Sequence, residues 1–323
     1  MKYKRTGLIL FILIFLFAIF NTTTMNTIAI QLTKNRTIKA SVLTIDEKPF
    51  ELGNQTKLSK EGYDIVQGSC TDGTYGYFVM FHKKNNQCRI AKVSMKDLKI
   101  VTISDILPIG HGNDITYNSQ LNYLVAVHYQ KEQMRLSIIS PISLRVLAVK
   151  DIEIPENLPG ATKNQLAAIT ALCGISYESS RNQYVTYVSN SHDFLVLDTN
   201  LEPVCYISRS KENHYNYQGI DCTKDYILMA QSPLSSEQKY NILSIYDWKG
   251  QYVSKITIKN EYEIESIFHI NHQYYASIYY SYYKTYTENK KVTVTDKNGN
   301  KKKKTMKTEN RKLIRKNYIY KLK

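Results

Sequence analysis

The sequence lacks the residue patterns of most catalytic and metal sites. No Ser or Cys stands beside a His and a carboxylate in a recognisable nucleophile motif, and no two of the five cysteines have metal-ligand spacing. We therefore predict no catalytic residue, no metal site and no cofactor. A structural cation such as calcium stays open as an alternative, because Asp114 and nearby carbonyl groups have the right chemistry.

Glycine is scarce, with 13 in 323 residues, whereas Tyr occurs 27 times. Tyr favours β-strands, so its excess indicates a protein rich in sheet. An odd number of cysteines leaves at least one unpaired in an exported chain. We interpret the five as small apolar strand residues, with a single disulfide as the alternative.

The longest apolar run, residues 8–20, is short for a membrane span and has the length of a signal-peptide core. Basic residues precede it at Lys2, Lys4 and Arg5, and no Cys follows it as a lipoprotein would require. We predict that residues 1–29 are a signal peptide, with an uncleaved membrane tether as the alternative. The expected location is extracellular or at the cell surface.

Residues 65–103 contain four short alternating segments separated by polar turns. The segments are 69–71, 75–82, 88–93 and 99–103, and the turns carry Asp72-Gly73, residues 83–87 and Lys96-Asp97. Period-two alternation between such turns is typical of strands and hairpins. This stretch is therefore predicted to form a four-stranded antiparallel meander.

Similar units recur at residues 115–149, 174–207 and 219–256, and a fifth begins at Glu265 and resumes at Asn317. A period of 40 to 50 residues with four strands per unit predicts an all-β fold, a β-propeller of four-stranded antiparallel blades. We expect five blades in residues 63–323. Six is the alternative, if residues 155–165 or 38–60 contain a degenerate copy, and a two-sheet sandwich is another.

The last unit ends after its third strand, so one outer strand is missing. Residues 37–45 form a strand-like segment with no partner in their own unit. A propeller has to cover the edge between its last and first blades. We therefore expect residues 30–62 to be a leader segment that supplies the missing strand and closes the ring.

Most of the formal net charge of +15 lies near the C-terminus, where residues 284–323 hold 15 Lys or Arg against three acids. Asn298-Gly299 between two alternating arms is typical of a tight hairpin turn. We predict a protruding basic β-hairpin over about 284–316 in the last blade. Five of its lysines are candidates for polyanion binding: Lys301, Lys302, Lys303, Lys304 and Lys307. A charged loop that serves solubility alone is the alternative.

In a propeller, the loops that lead into the innermost strands meet at one mouth of the central channel. Polar residues at these positions form the candidate ligand site: Gln67, His111, Asn113, Asp114, Gln218, Asp221 and Glu265. Their alternative role is to cap strands and turns. An enzyme could use Asp114, Asp221 and Glu265 as facing carboxylates. However, the first and third units offer no acid at the matching place.

The repeat resembles the broad class of bacterial secreted β-propellers. Gln67-Gly68 followed by Asp72-Gly73 is similar to the repeat openings of glutamine-cyclotransferase-like five-bladed propellers. Gln218-Gly219 agrees, although Lys224-Asp225 follows it. The resemblance implies a fold and not the aminoacyl-cyclase chemistry.

The sequence thus favours an exported, non-catalytic binding or scaffolding propeller that recognises an anionic or carbohydrate ligand. The expected partner is an anionic cell-wall polymer, a glycan or a protein at the cell surface, with lipid headgroups as a further candidate. Nucleic acid is not favoured. The alternative function is a carbohydrate-active hydrolase or lyase, or a cyclase-like enzyme, that uses the channel mouth.

Overall fold

The computed structural model describes residues 32–53, 58–129, 134–210, 215–234, 239–295, 298–299 and 301–323. The predicted signal peptide or tether, residues 1–29, lies outside the described residues. The described chain opens with four short strands: β1 (Arg36–Ile38), β2 (Ala40–Val42), β3 (Thr44–Ile45) and β4 (Lys48–Pro49). Within the described part of the chain, no helix is long and apolar enough to cross a membrane.

The first two blades are consecutive antiparallel meanders. Blade one contains β5 (Ile65–Thr71), β6 (Tyr75–His82), β7 (Gln87–Ser94) and β8 (Ile100–Ile103). Blade two contains β9 (Asp114–Asn118), β10 (Tyr123–Val127), β11 (Arg135–Ile139) and β12 (Val146–Asp151). Strand β7 alternates buried and half-buried side chains along much of its length, which is the pattern that predicted it. Strand β5 begins four residues before the predicted segment.

The remaining blades follow the same order. Blade three contains β13 (Leu172–Glu178), β14 (Gln183–Val188), β15 (Phe194–Leu197) and β16 (Pro203–Ile207), after a short helix, α1 (Lys163–Ala167). Blade four contains β17 (Tyr215–Cys222), β18 (Tyr226–Pro233), β19 (Asn241–Asp247) and β20 (Tyr252–Ile258). Blade five contains β21 (Glu263–Ile270), β22 (Gln273–Thr295) and β23 (Lys301–Leu322), joined by β2.

The five first strands contact one another in a closed cycle, β5 to β9, β13, β17, β21 and back to β5. Five apolar core clusters fill the ring, and each lies between two neighbouring blades. Blades packed face to face around a central axis bury apolar side chains on both sides of each sheet. The chain is a β-propeller.

The leader crosses the junction between the last two blades. Strand β1 pairs in parallel with β20, the outer strand of blade four, with Arg36 opposite Ile256. Strand β2 pairs antiparallel with β23 and supplies the outer strand of blade five, with Ala40 opposite Leu322. Within the segment 37–45, residues 40–42 thus occupy the missing position, whereas β1 extends the preceding blade.

Residues 155–165 do not form a further blade. They lead into α1, whose capping box joins Thr162 and Gln165. In the described residues, the sheets comprise five blades and the small β3–β4 hairpin.

All five cysteines are free thiols, and four of them are buried. The alternative of a single disulfide is therefore not what the structure contains. Burial raises the pKa of the Cys88 thiol, and its Sγ donates to the carbonyl oxygens of Gly110 and His111.

Candidate functional site in the central channel

One residue from each inner strand forms a layer across the channel: Gly68, Asp114, Gly174, Gly219 and Ser266. The register of the first and second strands shifts at this level in four blades, so four of the five layer positions lie at β-bulges, whereas the Asp114 position pairs without a shift. The backbones approach closely here. A Cβ on Gly68 would lie 2.4 Å from the Cα of Asp114, and one on Gly219 would lie 2.7 Å from the Cα of Ser266. Residues without a Cβ are therefore required at positions 68 and 219.

Asp114 joins three blades at the centre of this layer. Its Oδ2 accepts hydrogen bonds from the backbone N–H of Ile175 and of Ile220, both at 3.1 Å, and its Oδ1 accepts from Ile115 N–H at 2.9 Å. Burial raises the pKa of Asp114 to about 8, although the three N–H donors favour the ionised carboxylate. Both oxygens face donors, so Asp114 is poorly placed to bind a cation.

Two cavities lie on opposite sides of the layer. All five inner strands run in the same direction, so residues before the layer line one cavity and residues after it line the other. The upper cavity has a volume of about 420 Å³ and contains residues such as Gln67 and Gln218. The lower cavity has a volume of about 220 Å³ and contains residues such as Ser176 and Asp221.

Amides and carboxyl groups form the floor of the upper cavity. Gln218 Nε2 donates to Glu263 Oε1 at 2.9 Å, and Gln67 Nε2 lies 3.5 Å from Glu265 Oε2. The residue before the layer in blade two, Asn113, donates to the carbonyl oxygen of Cys173 and lies 3.0 Å from His111 Nδ1. The floor thus presents donors and acceptors from all five inner strands or the loops that precede them.

The electrostatics of this floor are set by burial. Glu265 is only 5% exposed, and burial, followed by the charge of Glu263, raises the pKa of its carboxyl group well above the usual range. Burial also raises the pKa of Glu263 and lowers that of His111. The carboxyl groups of the floor therefore stay protonated to higher pH than solvent-exposed carboxyl groups do.

Aromatic side chains surround the floor: Phe81, Tyr129, Tyr187, Tyr217 and Tyr279. Phe81, Tyr187 and Tyr279 each follow the floor residue of their blade by 14 residues. Sequence reasoning missed these aromatics, and this fixed spacing is the signal that could have found them. Lys83 and Arg315 also line this cavity, and Arg315 Nη1 lies 2.9 Å from Asp64 Oδ2.

The lower cavity contains a paired histidine and carboxylate. His269 Nδ1 lies 2.7 Å from Asp221 Oδ2, and Ser176 Oγ donates to Asp221 Oδ1 at 3.3 Å. The charge of Asp221 raises the pKa of His269. This pair belongs to the mouth opposite the upper cavity.

The structure divides the predicted channel-mouth set. Five of its members line the upper cavity: Gln67, His111, Asn113, Gln218 and Glu265. Placing Asp114 and Asp221 in that mouth was wrong, because Asp114 lies in the layer and Asp221 lies two residues beyond it in the lower cavity. The three carboxylates considered for an enzyme therefore do not face one another in one cavity. In the described residues, no group of three or more His, Cys, Asp or Glu is placed to bind a metal ion.

The five candidate lysines lie far from this floor, on the long ribbon of blade five. Strands β22 and β23 are 23 and 22 residues long and stay paired from Tyr275–Lys321 to Thr295–Lys301. Lys301, Lys302, Lys303, Lys304 and Lys307 are all exposed in the outer part of this ribbon. The channel and the ribbon are thus separate candidate surfaces.

No family model matches the sequence, and no curated protein matches it. Among solved structures, the chain is similar to hydrazine synthase of Kuenenia stuttgartiensis, with 10% identity over 66% of this chain and a TM-score of 0.39. It spans 55% of that hydrazine synthase chain. It is also similar to the Dos1 propeller, with 10% identity and a TM-score of 0.37. That match covers 76% of this chain and 58% of the Dos1 chain.

The WD40 repeats of RRP9 are a third similar structure, with 10% identity and a TM-score of 0.39. That match covers 66% of this chain and 74% of the RRP9 chain. Similarity at this level concerns the fold and assigns no activity. The resemblance to glutamine-cyclotransferase-like repeats stays a prediction.

Proposed function

We propose that this protein is an exported, non-catalytic binding module of the cell surface whose upper cavity binds a carbohydrate. The observation that carries the proposal is the combination of an amide and carboxyl floor with aromatic walls in one cavity of about 420 Å³. This volume lies within the range of small-ligand sites, about 300–1,000 Å³. A sugar presents hydroxyl groups along its edge and apolar C–H groups on its faces, which fit such a floor and such walls.

The protonation of the floor supports a neutral ligand with many hydroxyl groups. A carboxyl group that keeps its proton donates one hydrogen bond and accepts others, and each sugar hydroxyl does the same. The raised pKa values of Glu263 and Glu265 favour that state. The neighbouring amides of Gln67 and Gln218 supply further donors beside these carboxyl groups.

The separation of the acids favours binding over hydrolysis. Glycosidases use two carboxyl groups that flank the scissile bond from opposite sides. In the upper cavity, Glu263 and Glu265 belong to the same strand, β21. The acids of the other inner strands, Asp114, Glu178 and Asp221, lie outside this cavity.

A substitution on the cavity wall tests the proposal. Tyr129 is 45% exposed, so Tyr129→Ala should leave the fold intact while removing a stacking surface. Tyr240 is also 45% exposed but does not line the cavity, which makes Tyr240→Ala a matched control. We expect a sugar found on a glycan array to bind the full chain at least tenfold more weakly after Tyr129→Ala, and unchanged after Tyr240→Ala.

Equal affinities of the two variants would contradict the assignment of the cavity. Release of a cleaved product from the bound sugar would instead establish the enzyme alternative. Carbohydrate binding in the cavity should also depend little on salt, because screening weakens interactions between exposed charges most.

We propose in addition that the ribbon of blade five binds an anionic partner at the cell surface. Its exposed lysines create a strong positive potential on a ring that is otherwise close to neutral. Replacing Lys301, Lys302, Lys303 and Lys304 by Gln should weaken binding to polyphosphate and flatten its salt dependence. Unchanged binding and salt dependence would contradict this role.

A further inference from the structure

The outer part of the blade-five ribbon, residues 284–295 and 301–312, has two faces of different composition. Its strands pair without a register shift, so each residue shares a face with its cross-strand partner. Lys290 faces Met306, for example, and Val292 faces Lys304. Even-numbered residues consequently lie on one face and odd-numbered residues on the other, and the bond from Asn310 Nδ2 to Glu288 Oε2 at 3.0 Å joins two residues of the even face.

The two faces carry the same charge. Among the described residues of the outer ribbon, the even face holds five Lys and Glu288, and the odd face holds four Lys, Arg311 and Glu309. Attraction to a polyanion by charge alone therefore gives no preference for either face.

The faces differ in apolar content. The even face carries four apolar residues: Tyr286, Val292, Val294 and Met306. The odd face of the outer ribbon carries none, and five threonines stand there instead: Thr285, Thr287, Thr293, Thr295 and Thr305. We call the even face the apolar face and the odd face the threonine face.

Solvent reaches this apolar face. Met306 is 51% exposed, Tyr286 46% and Val294 43%. A paired segment of 12 residues extends roughly 40 Å at about 3.3 Å per residue. A two-stranded ribbon of this kind is marginally stable in water by itself, so a surface that covers one face would stabilise it.

We infer that the apolar face lies on an anionic lipid bilayer. Its lysines would contact the lipid phosphates, while Tyr286, Val292, Val294 and Met306 enter the boundary between headgroups and acyl chains. An aromatic ring with a polar end, such as that of Tyr286, suits this boundary. A soluble anionic polymer explains the lysines but offers no apolar phase for the four apolar side chains. The inference rests on the anionic-partner role proposed for the ribbon.

Two neighbouring positions provide a direct test, because Thr305 and Met306 lie on opposite faces. Met306→Trp and Thr305→Trp would each be made in the full chain, and the emission of Trp248 in the parent protein would be subtracted. We expect Met306→Trp to shift to the blue on phosphatidylglycerol vesicles and to be quenched by brominated lipids. Thr305→Trp should show neither change, and neither variant should respond to phosphatidylcholine vesicles.

A second pair of variants separates the lipid inference from binding to anions in general. Val292→Thr and Val294→Thr would be added together to the Met306→Trp variant, whose emission shift reports vesicle binding. The two changes should weaken its affinity for phosphatidylglycerol vesicles at least tenfold, while its affinity for polyphosphate stays unchanged. The matched control, Thr293→Ser with Thr295→Ser, should change neither.

Equal responses from both Trp positions, or none, would overturn the lipid inference. If polyphosphate binding persisted in that case, the anionic-partner role would stand, and the partner would be a soluble polymer. If the protein bound neither the vesicles nor polyphosphate, both the lipid inference and the anionic-partner role would be overturned. If residues 8–20 enter the vesicle membrane, they do so in every variant. Binding through them therefore cannot produce a difference in emission between Met306→Trp and Thr305→Trp.

Discussion

Asp114 should be the polar residue on which the ring depends most. Its carboxylate accepts N–H groups from blades two, three and four, and the side chain is 1% exposed. Asp114→Ala would leave three buried donors without their acceptor. Each such donor costs about 1–3 kcal/mol, and the relief of burying a carboxyl group offsets part of the total. We expect a loss of roughly 3–6 kcal/mol in the free energy of unfolding.

Asp114→Asn should be milder and should change the dependence of stability on pH. The amide oxygen can retain the bonds to Ile175 and Ile220, so one donor loses its acceptor, at about 1–3 kcal/mol. In the wild type, the folded pKa of about 8 lies above the unfolded value of about 3.9. The folded state thus holds a proton that the unfolded state has released, and stability falls as pH rises between these two values.

The slope of that loss is at most about 1.4 kcal/mol per pH unit, and the Asn variant lacks it. The advantage of the wild type over Asp114→Asn should therefore shrink by about 2–3 kcal/mol between pH 5 and pH 7. Urea unfolding followed by circular dichroism at both pH values measures this difference. Asp105→Asn makes the same substitution at an exposed site and is the control.

Two results would refute the reasoning. If Asp114→Ala lost less than about 1 kcal/mol, the three hydrogen bonds would not hold the blades together. If the difference between wild type and Asp114→Asn stayed constant with pH, the carboxylate would be ionised throughout, and its N–H donors would outweigh burial.

Three further predictions concern the ring and the lower cavity. Gly68→Ala should destabilise the protein by more than about 2 kcal/mol, because the new Cβ would collide with the backbone of Asp114. Gly73→Ala has open space around the Cβ and should cost only about 1 kcal/mol, from its positive φ. Thermal unfolding of the two variants measures the difference. Phe50→Ala should cost about 3–5 kcal/mol in urea unfolding, since this leader residue is buried against blades five and one, and a loss below 1 kcal/mol would show that the leader is dispensable. The pKa of His269, followed by NMR, should fall in Asp221→Asn, and an unchanged pKa would contradict the pairing. The stability that the ion pair provides should be fully present below about pH 6.5, the unfolded pKa of His. It should be lost as pH rises through the raised pKa of the folded state.

Local sequence patterns were sufficient to predict the blades. The predicted segment 75–82 coincides with β6, and the predicted 88–93 lies within β7. These strands are specified by alternation along the chain and by turn residues such as Asp72, whose Oδ1 accepts from the backbone N–H of Thr74 and Tyr75. Each of these interactions spans only a few residues, so it is visible in the sequence.

Ring closure was only partly visible. The sequence indicated a strand without a local partner in the leader, but not that β1 and β2 would join different blades. Their partners, Ile256 and Leu322, lie more than 200 residues away. Such pairings depend on where the finished ring brings the chain ends, which no local pattern encodes.

The candidate site shows the same division. The sequence alone determined that polar residues cluster at the starts of the inner strands, and five of the seven do line one cavity. Only the tertiary structure decided that Asp114 fills the layer and that Asp221 opens to the opposite side. The reason is that the boundary between the two cavities falls within a single residue of each inner strand, and in blades one and four the register shifts at that residue. A shift of one or two positions along the chain therefore moves a side chain from one mouth to the other, and the register is fixed by packing around the whole ring.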